Sequence, residues 1–149
     1  MIVYTDGACL GNPGPGGWAA RLQYGDAVRE LWGSERETTN QRMELTAVIE
    51  ALRALKRPCR VRVYSDSAYV VNAFRHGWVD RWIRNGWRTY ANDPVENQDL
   101  WRELLHLMAD HRVTFHKVKG HADDAANNRV DELARQAARQ AAAGEHGEG

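Results

Sequence analysis

The sequence predicts an α/β fold: a mixed sheet of five strands, three antiparallel and two added in parallel, flanked by helices. Three observations carry that reading. Strand-like segments near 1–8, 17–24 and 27–34 are short and turn-linked, with Gly25-Asp26 as a tight hairpin turn, so they form an antiparallel meander. Two later strand-like segments, near 60–65 and 112–118, are each separated from their neighbours by helical stretches, which favours parallel addition to the same sheet. No internal repeat or low-complexity segment interrupts this order.

Taken in order, the first strand is the apolar run Ile2-Val3-Tyr4-Thr5, closed by Asp6 and Gly7. The glycine-dense stretch 11–17 follows, and Gly14-Pro15-Gly16-Gly17-Trp18-Ala19 matches the dinucleotide pattern G-x-G-x-x-A. That pattern needs a helix whose amino terminus holds a pyrophosphate, whereas residues 18–24 read as strand, so the match is rejected. Residues 43–55 are helical, with Glu44, Val48, Ala51 and Leu55 sharing one stripe at spacings of four, seven and eleven. The alternating valines of Val61-Arg62-Val63-Tyr64-Ser65 make the next strand, and the chain then turns into Ala68-Tyr69-Val70-Val71. An irregular aromatic and basic region comes next, then a helix, the strand at 112–118 and a last helix.

Four acids stand where a sequence concerned only with folding would prefer an apolar or small residue. Asp6 and Asp66 each end a strand, and in open α/β sheets ligands bind at the carboxyl ends of strands. Glu44 lies on the inward stripe of its helix. Asp131 lies on the face of the last helix that carries Ala134 and Ala138, small residues that let the helix approach its neighbour closely. Taken singly, each acid reads as a cap, a turn acid or half of a salt bridge. Jointly, four inward carboxylates imply partners, because buried unpaired charge is strongly disfavoured. An all-oxygen set suits magnesium or manganese rather than zinc. Two such ions about 3.5–4 Å apart activate water and stabilise a leaving phosphodiester oxygen.

The motifs Tyr4-Thr5-Asp6-Gly7-Ala8, Gly11-Asn12-Pro13-Gly14, Thr39-Asn40-Gln41-Arg42-Met43-Glu44-Leu45, Tyr64-Ser65-Asp66-Ser67, Lys117-Val118-Lys119-Gly120-His121 and residues 127–131 occur in this order. With them the chain resembles bacterial-type ribonuclease H, type 1, from Met1 to about Ala143. The resemblance implies a ribonuclease H-like fold and an endonuclease that hydrolyses the RNA strand of an RNA–DNA hybrid with two metal ions, Mg2+ or in its place Mn2+. It implies Asp6, Glu44, Asp66 and Asp131 as catalytic metal ligands, and His121 as a loop residue that handles protons or helps product leave. A histidine near its ordinary pKa suits the first task at neutral pH, although a loop histidine can equally be solvated surface. It also lays the 11–17 loop along the RNA, with Asn12 near a ribose.

Asn40 and Gln41, just before Glu44, are placed to meet ribose hydroxyls or to span both strands. Thr39 has two readings, a helix cap and a contact to a DNA phosphate. Between 75 and 93, Trp78, Trp82 and Trp87 interleave with Arg75, Arg81, Arg84 and Arg88. Trp78 and Trp82, four apart, share a helix face, and Arg81, Arg84 and Arg88 form a second stripe. The resemblance makes this the basic handle that holds DNA, with Trp78, Trp82, Arg84 and Arg88 as substrate contacts. For Trp87 and Trp101 a place in the local core is the favoured reading.

Charge tempers that picture. The four arginines in 75–93 face Asp80 and Asp93, and the whole chain carries 20 basic and 20 acidic residues. Fewer phosphate contacts mean weaker non-specific attraction and a shallower salt dependence. The phosphate pocket is also less basic than the family pattern, since Glu37 precedes Thr38-Thr39 with only Arg36 adjacent.

The length of 149 residues suits one catalytic domain over 1–143, with a disordered tail at 144–149. Cys9 and Cys59 make no C-x-x-C pair and read as reduced thiols, and no signal pattern or long apolar run appears, so a cytoplasmic location, no membrane association, no obligate protein partner and a monomer are expected. Other classes remain to be weighed: a silent nucleic-acid-binding module, an integrase-like or junction-resolving nuclease, and a small-molecule phosphohydrolase.

Overall fold

Eight residues of alternating burial, Ile2–Cys9, form strand β1 at the centre of the sheet. The computed structural model describes residues 1–118 and 125–144. Strands β2 (Gly14–Tyr24) and β3 (Ala27–Thr38) complete an antiparallel meander, and Tyr24 pairs with Ala27 across the two-residue turn. Gly25 takes φ +59° there, the left-handed conformation such a turn requires. Strands β4 (Arg60–Ser65) and β5 (Arg112–Lys117) add in parallel, giving the order β3-β2-β1-β4-β5. The predicted sheet is therefore the observed one. Residues 14–16, expected to precede the strand, extend β2, and β3 runs on to Thr38, because the two strands keep pairing past a bulge near Gly14 and Gly16.

Helix α1 (Asn40–Arg53) starts three residues earlier than its apolar stripe suggests. Thr39 is its amino-terminal cap, its Oγ1 accepting from the Arg42 N–H at 3.2 Å. Helices α2 (Ala68–Arg75), α3 (Trp78–Arg84), α4 (Gln98–Met108) and α5 (Ala125–Ala142) follow. The region expected to be irregular thus holds α3, with Trp78 and Trp82 on it; Arg88 falls beyond the helix end, so the three-arginine stripe does not form.

The sheet has two differently covered faces. On one, α1 and α2 enclose Val3, Val61, Val63, Leu45, Val48 and Val71, with Trp101 of α4 fully buried among them. On the other, α5 lies over β1, β2 and β3 and seals a smaller cluster of Ala19, Val130, Leu133 and Ala134. Close approach is possible because Gly17 has no side chain: a Cβ there would stand 2.4 Å from the Ala134 carbonyl oxygen. Ala134 and Ala138 thus serve the close contact their size implies. Gly7 does the same for α1, whose Glu44 backbone nitrogen would lie 2.5 Å from an added Cβ. Trp87 and Trp101 are both buried, as favoured from the sequence. No described helix is long and apolar enough to cross a membrane.

Candidate active site

Two close approaches to β1 determine where the acids go. Asp6, expected to end its strand, lies inside β1 instead, because Gly7, Ala8 and Cys9 keep pairing with β2; it sits on the α5 side, paired with Ala19, and is buried. Gly7 lets the first turn of α1 come down on the strand, which carries Glu44 to the same end of the sheet, 5 % exposed. Asp66 follows the last residue of β4, the parallel neighbour of β1, and is exposed. Carboxylate oxygens of Asp6, Glu44 and Asp66 all lie within 4.8 Å of one another. Asp131, in the second turn of α5, faces the group from the helix side, near enough to raise the proton affinity of Asp6. Its Oδ2 also meets the Arg135 guanidinium at 2.6 Å, one turn on.

Crowded carboxylates repel, and their proton affinities record it. Burial, with the charges of Asp66 and Asp131 nearby, pushes the Asp6 carboxyl up to about 8. Burial and the neighbouring Asp6 and Asp66 hold Glu44 well above the ordinary carboxylate range. Burial and Asp131 raise Asp66 as well, with Lys117 acting in the opposite direction. Glu44 Oε2 is shielded from solvent and has no hydrogen-bond partner among the described residues. A hard cation answers all of these at once, since it neutralises the repulsion and gives the orphaned oxygen a ligand bond. The donor set, oxygen only, fits magnesium or manganese.

Beside Glu44 the amino terminus of α1 gathers four of the expected substrate residues, Asn12, Thr39, Asn40 and Gln41. The Asn40 N–H donates to Asn12 Oδ1 at 3.0 Å, so the 11–14 loop is tied to the helix start. Both residues are exposed, and Gln41 is half-buried next to them. Thr39 is occupied as a cap, which satisfies the plainer of its two readings.

The handle residues lie apart from this cluster. Trp78 and Trp82 are half-buried and pack against the main core, Trp82 lying 5.3 Å from the Trp101 ring and 6.3 Å from the Trp87 ring. Arg84 is exposed, whereas Arg88 donates to the Asn92 carbonyl at 2.9 Å. His121 falls outside the described residues, as do residues 145–149 of the expected tail.

Sequence reasoning missed the bridge between the two regions. Arg42 Nη1 and Nη2 donate to both carboxylate oxygens of Asp99 at 3.0 and 2.7 Å, and Nη1 also reaches Asn97 Oδ1 at 3.3 Å. Asn97 Nδ2 in turn donates to Tyr69 Oη, which also accepts from Trp101 Nε1 at 2.9 Å. Arg42 was in plain view inside the Thr39–Leu45 motif, but nothing local identifies a partner 57 residues away.

Comparison with known proteins agrees with this geometry. The family model described as RNase H matches residues 1–139. The chain is 69% identical over 137 residues to Ribonuclease H of Chlorobium luteolum, covering 92% of this chain and 94% of the relative. It is 67% identical over 137 residues to Ribonuclease H of Moorella thermoacetica, covering 92% and 90%. Among solved structures, LC9-RNase H1, a type 1 RNase H with the type 2 active-site motif, is similar with TM-score 0.79 and 37% identity, covering 93% of this chain and 71% of that one. A family match over nearly the whole length, with relatives this similar across almost all of theirs, makes the assignment direct: the chain belongs to the ribonuclease H family, type 1.

Proposed function

We propose that this protein is a divalent-metal-dependent endonuclease that hydrolyses the RNA strand of RNA–DNA hybrids, with Asp6, Glu44, Asp66 and Asp131 as its metal ligands. The observation that carries the site assignment is the convergence within 4.8 Å of three carboxylates, from inside β1, from the first turns of α1 and from the residue after β4, one of them Glu44 with an orphaned buried oxygen. Mg2+ is the favoured ion and Mn2+ a substitute; a bound pair supplies water activation and stabilisation of the leaving oxygen. The chain's own residues do the rest. Buried Asp6 and Glu44 fix the site on rigid elements, Gly7 keeping α1 against β1. Asp66, at the exposed lip, faces the incoming phosphodiester. Arg135 holds one oxygen of Asp131 and so limits its rotation. His121 assists proton handling or product release.

Strand discrimination belongs to the α1 terminus. Asn12, Asn40 and Gln41 carry amides, which can both donate to and accept from a ribose 2′-hydroxyl, the group that DNA lacks. The Asn12–Asn40 hydrogen bond presents two of them as a unit. Thr39 holds that terminus in place. Trp78, Trp82, Arg84 and Arg88 form the side that meets the DNA strand, by sugar packing and phosphate contact. Residues 1–143 act as one catalytic domain, a cytoplasmic monomer without an obligate protein partner.

The test is cleavage of one labelled sequence as RNA–DNA hybrid, double-stranded RNA, double-stranded DNA and single-stranded RNA, beside mononucleotides and a hybrid-binding assay, with magnesium, manganese or chelator. Metal-dependent cutting of the hybrid's RNA strand alone is the expected result. Hybrid binding without cutting would make the chain a silent binding module, and hydrolysis of mononucleotides alone a small-molecule phosphohydrolase. Sedimentation of the purified protein tests the monomer.

A further inference from the structure

Among the described residues, the sheet face that bears Asp6 and Asp66 is only half covered. Helix α5 lies over β1, β2 and β3 and stops short of β4 and β5. Strand alternation aims Val61, Val63 and Ser65 into the main core, so Arg60, Arg62 and Tyr64 point the other way. Their partners on β5 are Arg112, Thr114 and His116. All three arginines and Thr114 are exposed. The six outward positions thus hold three arginines, a histidine and no acid, in a chain whose overall charge is zero. Next to them runs a continuous row of stacked rings, Tyr4 to Tyr64 at 5.1 Å and Tyr64 to His116 at 5.0 Å, crossing from β1 to the sheet edge. The His116 ring is steadied by a 2.9 Å hydrogen bond with Thr114 Oγ1.

We propose that this open face of β4 and β5 is a docking surface for single-stranded RNA that continues from the hybrid's RNA strand past the catalytic carboxylates. Tyr64 lies on β4 two residues before Asp66, which directly follows that strand, so the face begins at the catalytic lip. At about 3.3 Å of rise per residue, Arg62 and Arg60 lie roughly 13 and 20 Å farther along. Guanidinium groups at that spacing meet successive phosphates, and the ring row offers π surface and edges to unstacked bases. A duplex keeps its bases stacked inside, so the aromatic row favours the unpaired continuation. The RNA strand is the one at the carboxylates, and the face extends from them rather than from the handle.

This proposal rests on the hybrid reading above, and its test separates the two. The protein with Mg2+ is assayed on one hybrid, blunt, with the RNA strand extended at its 5′ or its 3′ end, or with the DNA strand so extended, in each case by about six unpaired nucleotides, a length within the site range of single-strand binders. The readout is the ratio of KM for extended to blunt substrate. One extension lowers KM about tenfold, the equivalent of about one stacked base or two phosphate contacts. The salt dependence of that ratio steepens by about 0.7 per neutralised phosphate, or about 2 for three arginines. The triple change Arg60→Gln, Arg62→Gln, Arg112→Gln returns the ratio to one. Should that variant fail to fold, Arg62→Gln and Arg112→Gln singly each remove part of the gain. An equal KM for blunt and extended hybrids, a gain that survives the arginine changes, or a gain confined to DNA-strand extensions would overturn the proposal alone. No cleavage of the blunt hybrid would overturn the hybrid reading, and the proposal with it.

Discussion

Glu44 is the residue on which the site's electrostatics turn, a buried acid held among acids with one oxygen left over. Glu44→Gln keeps the volume and removes the charge. Metal-dependent cutting then falls by more than the roughly 10–100-fold that outer partners of metal ligands cost, while the metal-free protein melts no lower at pH 8. A steady-state assay beside a melting curve checks both. Asp6 makes the pH dependence explicit. Its carboxyl titrates near 8 in the fold, against about 3.9 in an unfolded chain. The native state therefore binds more protons between those values, and the stability of the metal-free protein declines as pH rises from about 4 to 8. Divalent metal displaces those protons and relieves the repulsion. The thermal shift on adding Mg2+ or Mn2+ is accordingly larger at pH 8 than at pH 5.5, and a shift that is flat with pH would show that protons and metal do not compete.

At the scale of elements, two bare spots in the strands set the position of both helices that carry acids. Gly17→Ala would place a methyl 2.4 Å from a backbone oxygen of α5, which has no rotamer with which to retreat. The cost is that of overpacking, about 1–3 kcal/mol, read from chemical denaturation. Arg42 joins α1 to α4 through a bidentate but exposed pair with Asp99. Exposed pairs contribute little, so Arg42→Ala changes stability by no more than about 1 kcal/mol. It frees Asn40 and Gln41 from the handle side, and KM for the hybrid rises more than kcat falls. Here the limits of sequence are plain. The stripe Glu44, Val48, Ala51 revealed that α1 faces inward, since periodicity is a local property. The three extra residues at its start depended on the Thr39 cap and on docking to Asn12, and the Arg42 pair on α4, contacts that have no period. Trp82 shows the converse: its composition suggested a nucleic-acid contact, and three-dimensional packing sets it on Trp101 and Trp87 as well.

For the whole molecule, charge is the property that most separates this chain from a strongly basic member of its family. With Arg88 engaged by a backbone carbonyl and no net charge overall, hybrid binding depends less on counterion release. A plot of log affinity for the blunt hybrid against log salt concentration has a shallower slope than that of a strongly basic relative, and an equal slope would refute this. The topology, by contrast, was legible almost completely. Short turn-linked strands and helix-separated strands dictate antiparallel and parallel pairing in turn, whereas the edge at which the parallel strands add, beside β1 in the order β3-β2-β1-β4-β5, was not legible, because no local pattern selects it.

That order has a consequence during synthesis. Of the described elements, strand β1 is made before the rest and carries Asp6, but Asp131 arrives on α5, after the five described strands. Until then Asp6 and Ala19 lack the helix that covers them, and the fourth carboxylate is absent. The five strands and three of the acids can therefore come together before α5 has been made, and the carboxylate of Asp131 joins them last.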